Sequence, residues 1–162
     1  MKISTDAIDE HGYIDPRYTC VLDNSSPELH WEDLPEGTAS LVMIAEDPDA
    51  SDRHTSGPFV HWVVYNIPPD VGHLPAGIPP QDSLPNGIRQ GLNSHGKLGY
   101  TGPCPPRGDH PHRYFFRVFA LREVPVLPSR ITASRLVEAI RPITLGIAEV
   151  KGHFQRALER AV

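Results

Sequence analysis

Apolar and polar positions alternate along this chain in short bursts separated by proline and glycine. "SLVMIAED", Ser40 to Asp47, is an apolar run that ends in turn-forming residues. "FVHWVVYNI", Phe59 to Ile67, is apolar on both alternate faces, with Phe59, Val63, Tyr65 and Ile67 on one and Val60, Trp62 and Val64 on the other. That pattern predicts a strand buried on both sides. "HRYFFRVFAL", His112 to Leu121, is aromatic-rich and predicts a third strand. "YTCVL" (18–22) and "ELHWEDL" (28–34) are weaker strand candidates. Near the end, Ala133, Leu136, Val137 and Ile140 follow helical spacing, with Thr132 placed to cap the helix and Pro142 to stop it. In "GIAEVKGHFQRAL", Ile147, Val150 and Phe154 suit a helix while Gly146 and Gly152 disfavour one; the reading adopted is a last strand over 147–155.

These elements add up to a mainly β chain: an antiparallel β-sandwich of two sheets with one or two short C-terminal helices. Its 162 residues suit one domain, residues 1–162. The 18 prolines fall between apolar runs, and residues 68–111 alone hold ten prolines and eight glycines, which predicts long, irregular, stiff connections there. At 39% hydrophobic and 22% charged, the composition is that of a soluble globular protein. No apolar run approaches the roughly 20 residues a spanning helix needs, and no secretory signal is visible, so the expected compartment is cytoplasmic. There Cys20 and Cys104 are expected as reduced thiols by default, with one bridge left open. A net charge of −5 argues against a nucleic-acid partner, but a phosphate site needs only local donors.

The chemistry-bearing residues sit at strand ends. If 40–47 and 59–67 pair as a hairpin, Asp47 at the end of one comes near His61 at the start of the other. His112 and Tyr114 share a strand face by period-2 alternation, just where the "GPCPPRGDHP" loop ends. Should that strand enter at the same end, Asp47, Asp49, His61, His112 and Tyr114 converge, with imidazole and phenol donors and acidic residues to orient them. The Gly102–Pro106 loop adds backbone N–H groups from its non-proline residues. Two histidines titrating near pH 6.5 would bind phosphate or carboxylate more tightly when protonated. Taken singly, each residue has a blander reading: a hydrogen-bonded core histidine, a turn-forming aspartate, a core tyrosine.

Other sites fit worse. "DPDASD" starts like a calcium loop, but Asp52 stands where glycine is needed and Pro58 where glutamate is needed. His61, His110, His112 and Asp47 include zinc-type ligands, yet His-Pro-His is no standard metal spacing and no HExxH is present. G-x-S-x-G is absent. "GLNSHGKLGYTG" lacks the G-K-[ST] of a P-loop and reads as plain loop. No metal and no cofactor is expected.

Together, "DPDA…GPFVHWVVYNIP" and "GYTGPCPPRGDHPHRYFFRVFAL" resemble the phosphatidylethanolamine-binding protein family, also called the Raf kinase inhibitor-like family, in its bacterial and archaeal branch. The similarity runs on through "DNSSPELHWEDLPEGTASLVMIAEDPDA" and "GIAEVKGHFQR". The resemblance implies a β-sandwich with a small pocket for anions such as phosphate or a phospholipid headgroup. Its pocket residues would be Asp47, Asp49, His61, Gly102, Pro103, His112 and Tyr114, with Arg113 turned away into an ion pair. Ser51 stands where the family usually has proline, and "CVLDNSSP" lacks a glycine often found before the Asn; both put loop shape in doubt. The chain stops soon after G-H-F-Q-R, which implies an open pocket, and prokaryotic relatives imply a homodimer. The function expected is binding of a phosphorylated small molecule or similar anion, without catalysis. The alternatives are a protein inhibitor of a kinase or serine protease, and an acid–base hydrolase or isomerase using Asp47, His61 and His112.

Overall fold

The structure, a computed structural model, describes residues 1–51 and 57–158. Asp52, weighed above as a calcium-loop position, lies outside them. Among the described residues, eight strands and one α-helix follow in the order β1 (Lys2–Ser4), β2 (Leu29–Glu32), β3 (Ser40–Ser51), β4 (Pro58–Ile67), β5 (His73–Leu74), β6 (Arg89–Gln90), β7 (His112–Leu121), α1 (Ala133–Ile140) and β8 (Thr144–Phe154). A five-stranded antiparallel sheet has the order β6-β4-β3-β7-β8, and a three-stranded antiparallel sheet has the order β1-β2-β5.

The large sheet is buried on both faces, which is why its central strands read as nearly continuous apolar runs. One face carries Leu41, Met43, Trp62, Val64, Phe116 and Val118 and packs on Leu29, Trp31 and Leu74 of the small sheet. The other carries Val42, Ile44, Val63 and Tyr65 and packs on Leu136 and Ile140 of α1. Thr132 caps α1, its hydroxyl accepting from the Arg135 N–H at 3.4 Å, and a 3-10 turn over Arg141–Ile143 leads into β8.

Several expectations change. Ile67 lies with Trp62 and Val64, not with Val63 and Tyr65, because the left-handed Asn66 (φ 60°) and a register shift opposite Leu41–Met43 break the alternation. "YTCVL" is no strand: Tyr18 ends a 3-10 helix over Pro16–Tyr18 and a turn follows. The "ELHWEDL" strand stops at Glu32, since Asp33 turns left-handed (φ 56°). The last strand starts at Thr144, three residues earlier than expected. Most directly, Cys20 and Cys104 are not free thiols but form a disulfide with a Cα–Cα distance of 5.4 Å. The bridge ties the Gly102–Pro106 loop to the turn after Tyr18. Among the described residues no helix is long and apolar enough to cross a membrane.

Candidate functional site

A cavity of about 290 Å³ opens at the end of the large sheet where β3 finishes, β4 begins and β7 begins. Among the described residues, the acidic and imidazole side chains that are buried are Asp47, His61 and His112, and all three line it. Larger cavities of about 430 and 580 Å³ lie elsewhere, but neither holds a buried acidic or imidazole group. Desolvated ionisable groups in a cleft mark a site better than volume does.

His61 reaches the cavity through a bulge. Ala45 pairs with Trp62 and Glu46 with Val60, so His61 is the extra residue of β4. Strict alternation would send it to the helix-covered face with Val63. The bulge instead turns His61 and Trp62 to the same side, and the His61 ring meets the edge of Tyr114 at 5.2 Å between centroids. Its Nδ1 lies 2.6 Å from the Thr101 carbonyl, and the Thr101 N–H donates back to the His61 carbonyl at 2.9 Å. A carbonyl only accepts, so Nδ1 carries the proton and Nε2 is left as an acceptor for the cavity. Burial pushes the His61 pKa down to about 4, against the opposing pull of Thr101. The ring is therefore neutral at neutral pH. This corrects the expectation of two histidines titrating near 6.5.

His112 and Tyr114 share the inward face of β7, as alternation predicted, and Arg113 points out. His112 Nδ1 donates to Asp47 Oδ2 at 2.8 Å, with both side chains almost wholly buried. Its Nε2 lies 3.1 Å from Asp109 Oδ2. Both ring nitrogens face carboxylates, which requires an imidazolium. Burial alone would lower its pKa, but the bonds to Asp47 and Asp109 outweigh this and raise it. Burial, and then the Asp47 charge, raise the Tyr114 hydroxyl well above its ordinary range, so it stays a donor.

The remaining expected residues divide. Gly102 lines the cavity, but its N–H is already given to Asn24 Oδ1 at 2.8 Å, so it offers no donor there. Pro103 lies outside the lining; its carbonyl accepts from the Cys20 N–H at 3.1 Å, which makes it a part of the loop's anchorage. Asp49 also lies outside: Arg113 binds its carboxylate through Nε at 3.0 Å, Nη2 at 2.9 Å and the backbone N–H at 2.8 Å. Hydrogen bonds from the Arg113 side chain hold its pKa down at about 2. Asp47 in turn accepts the Asp49 N–H at 2.7 Å, so the D-P-D motif places one carboxylate inward and the other outward.

Sequence reasoning missed His95 and Asp109. His95 sits in the glycine-rich stretch read as plain loop, yet it lines the cavity with its ring 5.1 Å from Phe59. Ser94 fixes it there, its N–H donating to the Val60 carbonyl and its hydroxyl accepting from the Val60 N–H. Asp109 was legible only as one more polar loop residue; it lies outside the lining and bears on the cavity through its bond to His112 Nε2. Among the described residues no group of three or more His, Cys, Asp or Glu is arranged to hold a metal ion.

Comparison with known proteins bears on the family and the fold. Residues 4–155 match the family model described as phosphatidylethanolamine-binding protein. A UPF0098 protein of Methanothermobacter thermautotrophicus is 42% identical over 96% of this chain and 99% of its own length. Two crystal structures have a similar fold. A putative phosphatidylethanolamine-binding protein homolog from Chlamydia trachomatis is 34% identical with a TM-score of 0.84, covering 96% of this chain and 97% of its own. YbcL of Escherichia coli is 31% identical with a TM-score of 0.85, covering 95% and 97%.

Proposed function

Since the chain belongs to the phosphatidylethanolamine-binding protein family, we propose that it binds a small phosphorylated molecule, or phosphate itself, in the cavity between His61 and His112 without breaking a bond. The observation that carries this reading is that one cavity is lined by a buried imidazolium, His112, and a buried neutral imidazole, His61, whose Nε2 can only accept. A partly protonated phosphoryl group complements that pair. Its charged oxygen suits His112, its P–OH suits His61 Nε2, and the Tyr114 hydroxyl is a further donor.

Two features favour binding over turnover. Of the lining side chains, Cys104 is locked in the disulfide and Tyr114 holds its proton firmly, so neither is an activated nucleophile. An acid–base pair works best near the operating pH, whereas burial keeps His61 at about 4 and two carboxylates keep His112 charged.

Isothermal titration of wild type, His61→Ala and His112→Ala with phosphate and phosphoethanolamine tests the proposal. Saturable binding by wild type that each variant weakens at least tenfold is the expected result. Wild type that takes up neither compound, or variants that bind like wild type, would contradict it.

A further inference from the structure

The neighbour that holds His112 Nε2 is not a structural residue of the core. Asp47 and Asp109 both bond this ring, but they differ in kind. Asp47 is 2% exposed in its side chain, sits on β3 and is fixed by the Asp49 N–H. Asp109 is 45% exposed and stands on a loop, next to a left-handed Gly108 (φ 85°). Its backbone N–H closes a turn on the Pro106 carbonyl at 3.2 Å, and the loop is tied at its base by the Gly108 N–H to the Arg156 carbonyl at 3.1 Å. Among the described residues, the side chain bonds His112 Nε2 through Oδ2.

His112 has two donors, and Nδ1 is committed inside the core. A ligand oxygen that is to accept from this imidazolium must therefore take Nε2, where a carboxylate oxygen already sits at 3.1 Å. Two carboxylates around one imidazolium also leave this trio with a surplus negative charge, which repels a second anion beside Asp109. Resting on the phosphate-binding reading above, we propose that the Asp109 carboxylate is an internal stand-in for the ligand: it occupies the anion position on His112 and must swing out before a phosphoryl oxygen enters. Asp109 is thus a further residue of the site, one that opposes binding and sets the affinity of the closed form. The exposed loop makes its contact the cheaper of the two to break, so the exchange leaves the Asp47–His112 pair intact.

A contact to a charged group, discounted for the exposure of Asp109, corresponds to about a tenfold penalty on apparent affinity. The test is titration of inorganic phosphate into wild type, Asp109→Asn and Asp109→Ala by calorimetry, at low and at 0.5 M salt (roughly 3–5 Å screening). Nitrogen-15 spectra of the His112 ring are followed in wild type through the same titration. The expected result is binding about tenfold tighter in both variants, kept at high salt, with the wild-type Nε2 resonance shifting as phosphate saturates. Wild type that binds phosphate while both variants bind equally or more weakly would overturn the role of Asp109 and leave phosphate binding standing. So would a gain that disappears at high salt, since that marks a general loss of repulsion. Absence of binding in wild type and in both variants would overturn the phosphate reading itself.

Discussion

Asp47→Ala removes the partner that keeps His112 charged inside the protein, and its consequence can be worked out from the geometry. The Nδ1–Oδ2 distance is 2.8 Å, with side-chain exposures of 5% and 2%. Removing one member of a buried ion pair costs about 3–5 kcal/mol, because the other is left desolvated. Asp109 still supports the imidazolium from its other nitrogen, so the low end, about 3 kcal/mol, is expected. In a chain of this size that lowers the melting temperature by roughly 10 °C. The sign of the pH dependence follows. Folded His112 has a raised pKa, so its protonation stabilises fully below its unfolded value of about 6.5 and is lost as pH rises through the folded value. The cost of Asp47→Ala is therefore largest near pH 6 and smaller at pH 9, since the charge on wild-type His112 is lost in the direction of rising pH. Urea unfolding of both proteins at the two pH values measures it. A cost below 1 kcal/mol at pH 6, or an equal cost at both, would refute the buried-pair argument.

Three further outcomes follow from the same structure. Breaking Cys20–Cys104, which are 84 residues apart, frees a long loop in the unfolded chain; the chain-entropy limit is about 4.5 kcal/mol, and urea midpoints of Cys20→Ser/Cys104→Ser against wild type should show a loss of about 2–5 kcal/mol. A loss below 1 kcal/mol would mean that the bridge constrains little. Gly102→Ala would drive a Cβ into Asn24 Oδ1 and the Tyr18 carbonyl, both at impossible distances, so a loss of more than about 2 kcal/mol together with weakened phosphate binding is expected, and wild-type behaviour in both would contradict it. Arg113→Ala releases Asp49, whose pKa of about 2 lies below its unfolded value of about 3.9; the stabilisation is present above pH 4 and lost as pH falls towards 2. The variant should therefore be slightly less stable than wild type at pH 7, and the two acid unfolding curves should converge near pH 2; curves that stay apart there would contradict it.

The parts of the fold read correctly from sequence were those whose burial is local in the chain. β7 and α1 have the expected bounds, and β4 begins one residue earlier, because dense apolar patterning and the Thr132 cap act within a few residues. The two-residue β5 and β6 carry no readable period and exist only because partner strands sit beside them. At the site, alternation placed His112 and Tyr114 and the hairpin placed Asp47. The rest depends on contacts across the chain that no local pattern records: the bulge that turns His61 inward, the Arg113 grip that takes Asp49 away, and the reach of Ser94 to Val60 that brings His95 in. The Cys20–Cys104 bridge belongs to the same class, since an even pair of cysteines gives no sign of its own pairing.

The most direct test is a crystal structure determined after soaking in phosphate. The account predicts tetrahedral density with one oxygen within about 3 Å of His112 Nε2, another facing His61 Nε2, and the Asp109 side chain displaced. A fully occupied anion elsewhere on the surface, with the space between the two rings holding only water, would contradict it.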